Sequence, residues 1–184
     1  MLLDPVPEWI LRLTLALLWL AAAAHKLRDP AAFRGALEAY RLAPELLAPV
    51  LAWTVPCIEL CVGVALLAAR TRALAGTLGA LILVAYGLAI AINLRRGRRE
   101  IDCGCLGFGR ASRISWSLVV RNALLALACL AAGLLAPSTR ALAPLDLFTV
   151  ALGVCGAAFT YLAAEGLIAT AQALPRRVQR TSHA

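Results

Sequence analysis

Apolar residues fill five stretches of the chain, residues 9–27, 45–69, 73–94, 114–136 and 145–174, and charged residues gather between them. Each is close to or longer than the roughly 20 residues that a helix, rising about 1.5 Å per residue, needs to cross a bilayer. Lipid cannot hydrogen-bond to a bare backbone, so segments of this kind are predicted to be helical. The pattern predicts an all-α fold: a polytopic membrane helix bundle of four or five transmembrane helices, forming a single transmembrane domain over residues 1–184.

Residues 29–44 break the pattern. Phe33, Leu37 and Tyr40 recur at helical spacing among Arg34, Glu38 and Arg41, which predicts a short amphipathic helix lying in the membrane interface. Trp9 and Trp19 are expected as interface anchors of the first span, with Arg12 and Lys26 snorkelling from its two ends. Small residues within spans, among them Gly63, Gly76, Gly79, Gly153 and Gly156, permit close helix approach.

Ionisable groups inside spans are costly, and they stand out here. Glu59 lies near the middle of the second span and should face the bundle interior with a partner, for which Arg121, Lys26 and His25 qualify. Arg121 and Asn122 lie one to two turns into the fourth span, near the level of Glu165 in the fifth, so an Arg121–Glu165 ion pair is expected. His25, beside Lys26 at a span end, is expected to reach toward the interface.

Composition agrees with this reading. The chain is 62% hydrophobic and 15% charged, with a mean hydropathy of +0.82, against roughly 45–50% and 25% for a soluble domain. A net charge of +8 and a pI near 9.8 do not point to nucleic acid, because aromatic and basic residues do not interleave. The basic residues instead cluster at span ends. With five spans, one side holds Lys26, Arg28, Arg34, Arg41, Arg95, Arg96, Arg98, Arg99, Arg110, Arg113, Arg176, Arg177 and Arg180, against Arg12, Arg70, Arg72 and Arg140 on the other. The positive-inside rule puts the richer side in the cytoplasm and the protein in the cell's inner membrane, in contact with lipid. The acidic residues Asp4 and Glu8, and the absence of a small-residue cleavage site before His25-Lys26, argue that the first span is retained rather than cleaved as a signal peptide.

Six cysteines occur, at positions 57, 61, 103, 105, 129 and 155, and only Cys103 and Cys105 fall outside the predicted spans. Their Cys-Gly-Cys sequence lies in an arginine-rich loop, where nearby positive charge favours the reactive thiolate. A disulfide across so small a ring is strained and readily reduced, which suits exchange over stapling. A redox dithiol is the preferred reading, with Cys103 and Cys105 as catalytic candidates. Two thiolates also make half a metal site, but tetrahedral metals want four ligands and the only histidines are His25 and His183, so no metal site is assigned. Cys57 and Cys61 lie one helical turn apart around Glu59 and are weighed as a redox relay against plain core packing; core packing is the default for these two, Cys129 and Cys155. The chain carries no phosphate-binding glycine loop, hydrolase triad or bis-histidine haem pattern.

Taken in order, Ala24-His25-Lys26-Leu27, Phe33 to Tyr40, Pro56 to Glu59 with Gly63, Asn93 to Gly97, Cys103-Gly104-Cys105-Leu106-Gly107 and Trp116 to Arg121-Asn122 resemble the MauE family of methylamine utilisation proteins, within the wider DoxX-like membrane proteins. The resemblance covers about residues 10–135 and departs from the family pattern at Leu106, where phenylalanine is expected. It implies a membrane accessory protein that acts with a thioredoxin-like partner in maturation of methylamine dehydrogenase. It assigns redox duty to Cys103 and Cys105 and leaves Lys26, Glu59, Arg121 and Asn122 as motif positions. The wider resemblance also raises a quinone-linked subunit, with quinone as a cofactor, and the polar residues Glu59, Arg121 and Glu165 raise a non-catalytic scaffold or small-molecule carrier in which the cysteines are incidental. Disulfide formation in an exported enzyme wants the dicysteine loop outside, whereas the arginine count puts it inside. Either electrons cross the membrane, or the span count differs from five.

Overall fold

The computed structural model describes residues 4–42, 44–101, 113–135 and 140–181, without the side chains of 45, 169 and 171–181. Its helices are α1 (Pro5–Arg28), α2 (Pro30–Tyr40), α3 (Ala48–Ala65), α4 (Arg72–Arg95), α5 (Trp116–Leu134) and α6 (Pro144–Thr181), with a 3₁₀ turn at Glu45–Leu47 leading into α3. Five of them, α1, α3, α4, α5 and the Pro144–Ile168 part of α6, are long and apolar enough to cross a membrane. The protein is an all-α, multi-pass membrane protein. The short α2 is the amphipathic helix expected over residues 29–44.

Local chemistry sets the helix ends. Asp4 caps α1 by accepting from the Val6 N–H at 3.0 Å, with Pro5 in the first turn, where its missing N–H costs nothing. Asp29 closes α1 and caps α2, accepting from the Ala32 N–H at 2.9 Å. The chain therefore turns sharply at the membrane boundary. Arg41, in the left-handed region at φ 48°, ends α2.

The bundle is inverted relative to a soluble one. Its outer surface carries Leu17, Trp53, Val64, Leu81, Leu88, Leu124, Leu127, Phe148 and Phe159, all well exposed, as a lipid-facing surface requires. Its interior combines Leu15, Trp19, Val62, Leu83 and Cys129 with buried Glu8, Arg12, Lys26, Glu59, Asn93 and Asn122. Small residues set the closest crossing. A Cβ on Gly76 would lie 2.5 Å from the Cys129 carbonyl and 2.8 Å from Gly133 Cα, so α4 and α5 touch backbone to backbone there. The last helix packs mainly on α1, where Gly153 receives Ile10, and leaves a seam beside α5.

Several expectations for α1 are corrected. Trp19 is a core residue, packed against Gly79 and Val62, and not an interface anchor. Trp9 is half-buried and stacks under the Arg12 guanidinium, 4.7 Å from its ring centre. Neither Arg12 nor Lys26 snorkels, because each finds a carboxylate inside. Arg12 pairs with Glu8 at 3.1 Å and donates to the Leu66 and Leu67 carbonyls at 3.0 and 2.7 Å, capping the far end of α3. Arg72, 3.7 Å from the same Glu8, donates to the Leu135 carbonyl beyond α5. One carboxylate thus balances two guanidiniums that close two helix ends.

Candidate functional site

The helix bundle places a polar site near the opposite membrane face, close to α2. Lys26 Nζ lies 2.5 Å from Glu59 Oε1, with their side chains 4% and 1% exposed. The Tyr86 hydroxyl donates to the same oxygen at 2.7 Å. The Lys26 ammonium also sits over the rings of Phe33 and Tyr86, 5.3 and 5.4 Å from their centres. Phe33 is the buried residue of α2, so the interfacial helix closes over this pair. Three spans and α2 converge on one ammonium–carboxylate contact.

Beside it, Arg121 of α5 pairs with Glu165 of α6 at 2.6 Å, both largely shielded, as expected for these residues. Leu15, Trp19, Lys26, Glu59, Tyr86, Arg121, Asn122, Leu125 and Tyr161 line a half-open cavity of about 60 Å³. On it, Glu59 Oε2 and Asn122 Nδ2 are buried and make no hydrogen bond among the described residues. Leaving such a group unsatisfied costs about 1–3 kcal/mol.

A second network leads from this site toward the dicysteine loop. Arg98 donates to Asn93 Oδ1 at 3.1 Å and to the Tyr40 carbonyl at 3.4 Å, joining α4 to the end of α2. Ile101 and Ile114 are both buried and packed with Ile90, Leu94 and Leu118, and the Ile114 N–H donates to the Ile101 carbonyl at 3.1 Å. Arg113 and Glu100 pair beside them. This stem gathers the two ends of the segment containing Cys103 and Cys105, and those two cysteines lie outside the described residues.

Lys26, Glu59, Arg121 and Asn122, which the sequence offered as motif positions without an assigned duty, all line one cavity. Tyr86, Asn93 and Arg98 were not among the expected site residues. A signal existed: Tyr86 and Asn93, seven residues apart on one face of a largely apolar helix, are two of its three polar residues between Ala73 and Leu94, the third being Thr77. Core packing, expected for all four in-span cysteines, holds for Cys129 and is corrected for Cys57, Cys61 and Cys155. Cys129 is buried, but Cys57, Cys61 and Cys155 are exposed on the bundle's outer surface. The reason is geometric: Cys57 and Cys61 stand two residues to either side of Glu59, about 200° around the helix, so burying Glu59 turns both outward. His25 is exposed, and the partner of Glu59 is Lys26.

Fold and site together define a class: a multi-pass helical membrane protein with five helices able to span, a lysine–glutamate pair inside the bundle and a hydrogen bond between Ile101 and Ile114 at the two ends of the segment whose sequence contains Cys103 and Cys105. The family model described as methylamine utilisation protein MauE matches residues 5–136, from the start of α1 to just past α5, and the chain belongs to that family. It is 42% identical to the methylamine utilization protein MauE of Methylorubrum extorquens over 166 residues, 90% of this chain and 88% of the relative. It is 37% identical to the protein of that name from Paracoccus denitrificans over 161 residues, 88% and 85% of the two chains. The one from Paracoccus versutus is 38% identical over 146 residues, 79% and 78%. No solved structure matches this chain.

Proposed function

We propose that the chain is a redox accessory protein of the inner membrane that exchanges thiol for disulfide at Cys103 and Cys105. In this role it supports maturation of methylamine dehydrogenase, or of another exported enzyme, together with a thioredoxin-like partner. The observation that carries the reading is the clasped stem. The Ile101–Ile114 hydrogen bond and the buried isoleucines hold the ends of the Cys-Gly-Cys segment together at one membrane face, among Arg98, Arg99 and Arg113. Two cysteines in a segment whose ends are joined so, with arginines flanking it in the sequence, are suited to attack a partner's disulfide. In that step the Cys103 or Cys105 thiolate attacks one partner sulfur, and the second cysteine resolves the mixed disulfide. Two electrons pass to the partner, which leaves as a dithiol after taking up two protons.

Lys26, Glu59, Arg121 and Asn122 act in this reading as polar support that fixes the helices beneath the loop. A relay through Cys57 and Cys61 would run along the lipid-facing side of α3, away from Glu59. The loop is proposed to face the cytoplasm. Arg12 and Lys26 are internal pairs, so one residue drops from each side of the basic count and the excess on the loop's side persists. The test is trapping. With Cys105→Ser or Cys103→Ser in cells growing on methylamine, a mixed disulfide with a thioredoxin-fold protein is expected on non-reducing gels. Failure of both single variants to trap any partner, with maturation unchanged, rejects the proposal.

A further inference from the structure

The cavity at the seam between α5 and α6 holds two groups that thiol exchange does not use. Glu59 and Asn122 both line it and are more than nine-tenths buried, and Glu59 Oε2 and Asn122 Nδ2 have no hydrogen-bond partner among the described residues. The first is a carboxylate oxygen, an acceptor; the second is an amide N–H, a donor. A hydroxyl carries both complements, an O–H to donate to a carboxylate such as Glu59 and an oxygen to accept from an amide such as Asn122. An ether or ketone oxygen only accepts and leaves Glu59 unmatched. An ammonium only donates, and it would crowd Lys26 Nζ, which already lies 2.5 Å from Glu59 Oε1.

The rest of the lining selects an apolar, aromatic body: Leu15, Trp19, Leu125 and Tyr161 surround the polar end. The volume of about 60 Å³ is well under the roughly 150 Å³ of a cavity that holds benzene. It therefore suits a hydroxyl and the leading edge of a ring, with the remainder lying in the seam. The two helices on either side also carry exposed apolar residues, including Leu124 and Phe159, on the outer surface of the bundle. We infer that this cavity binds the hydroxyl end of a membrane-soluble phenol-type molecule entering from the bilayer.

The test uses the full chain in lipid nanodiscs with two fluorine-labelled probes, 4-fluorophenol and 4-fluoroanisole, followed by fluorine NMR. The expected result is saturable binding of 4-fluorophenol that unlabelled phenol displaces, at least tenfold tighter than that of 4-fluoroanisole. Asn122→Leu removes the free donor while leaving the Lys26–Glu59 pair intact, and it should abolish most of that preference. Leu125→Trp, which fills the cavity, should remove saturable binding altogether. Circular dichroism melts establish that each variant is folded, and Leu125→Trp decides the matter if Asn122→Leu is not. The inference is overturned if phenol and anisole probes bind alike, if neither saturates because water alone occupies the site, or if the phenol preference survives in a folded variant.

Discussion

Lys26 and Glu59 stand 33 residues apart in sequence and 2.5 Å apart in space, inside the bundle, with the Tyr86 hydroxyl on the same carboxylate oxygen. Removing one partner of a buried pair strands the other charge, at a typical cost of about 3–5 kcal/mol. Lys26→Met and Glu59→Leu should each lower the unfolding midpoint in detergent sharply. The double variant should be more stable than either single one, because neither charge remains. Additive losses in the double variant would show that the two residues do not interact. Tyr86→Phe should give a smaller loss, about 1–3 kcal/mol, from one charge-assisted hydrogen bond.

Arg12 has a different duty at the opposite face. It closes α3 through two carbonyls and balances Glu8. Arg12→Leu should destabilise the protein, and Arg12→Lys should rescue it only in part, since an ammonium cannot span two carbonyls and a carboxylate as the planar guanidinium does. Thermal melts of the two variants check this; full rescue by lysine would contradict the capping role.

The contact of α4 with α5 predicts a contrast between glycines. Gly76→Ala places a methyl carbon within 2.5 Å of the Cys129 carbonyl, whereas Gly156 has nothing within 4 Å of the same position. Gly76→Ala should cost about 1–3 kcal/mol as the helices are pushed apart, and Gly156→Ala should be near neutral. Equal melting temperatures for the two would place the crossing elsewhere.

The cysteines should separate by reagent. Cys57, Cys61 and Cys155 face outward from apolar spans and Cys129 is buried. In folded protein, a lipid-soluble maleimide should label the first three and spare Cys129, while a charged maleimide should label none of the four. Rapid labelling of Cys57 or Cys61 by the charged reagent would mean that α3 does not present that side to lipid.

Span positions were legible because lipid forbids interrupted backbone, so the five apolar runs of the sequence correspond to α1, α3, α4, α5 and α6. Which side of each helix faces inward was harder to read. In alanine- and leucine-rich helices that are apolar all round, 3.6-residue periodicity carries little contrast. Trp19 therefore looked like an interface residue and proved to be core, and Lys26 looked like a snorkelling end and proved to be half of an internal pair. The outward turn of Cys57 and Cys61 followed from the burial of Glu59 and could have been read from spacing alone. The stem at Ile101 and Ile114 could not, because it depends on packing against Ile90, Leu94 and Leu118 from two different helices.

The central claim rests on the dithiol, and its most direct test is replacement of Cys103 and Cys105 together by serine in cells that need this chain to assemble active methylamine dehydrogenase. The double variant should still insert and accumulate in the membrane while assembled dehydrogenase falls to the level of cells lacking the protein. Normal dehydrogenase assembly with a stably expressed double-serine variant would show that the cysteines are dispensable and that the protein works in another way.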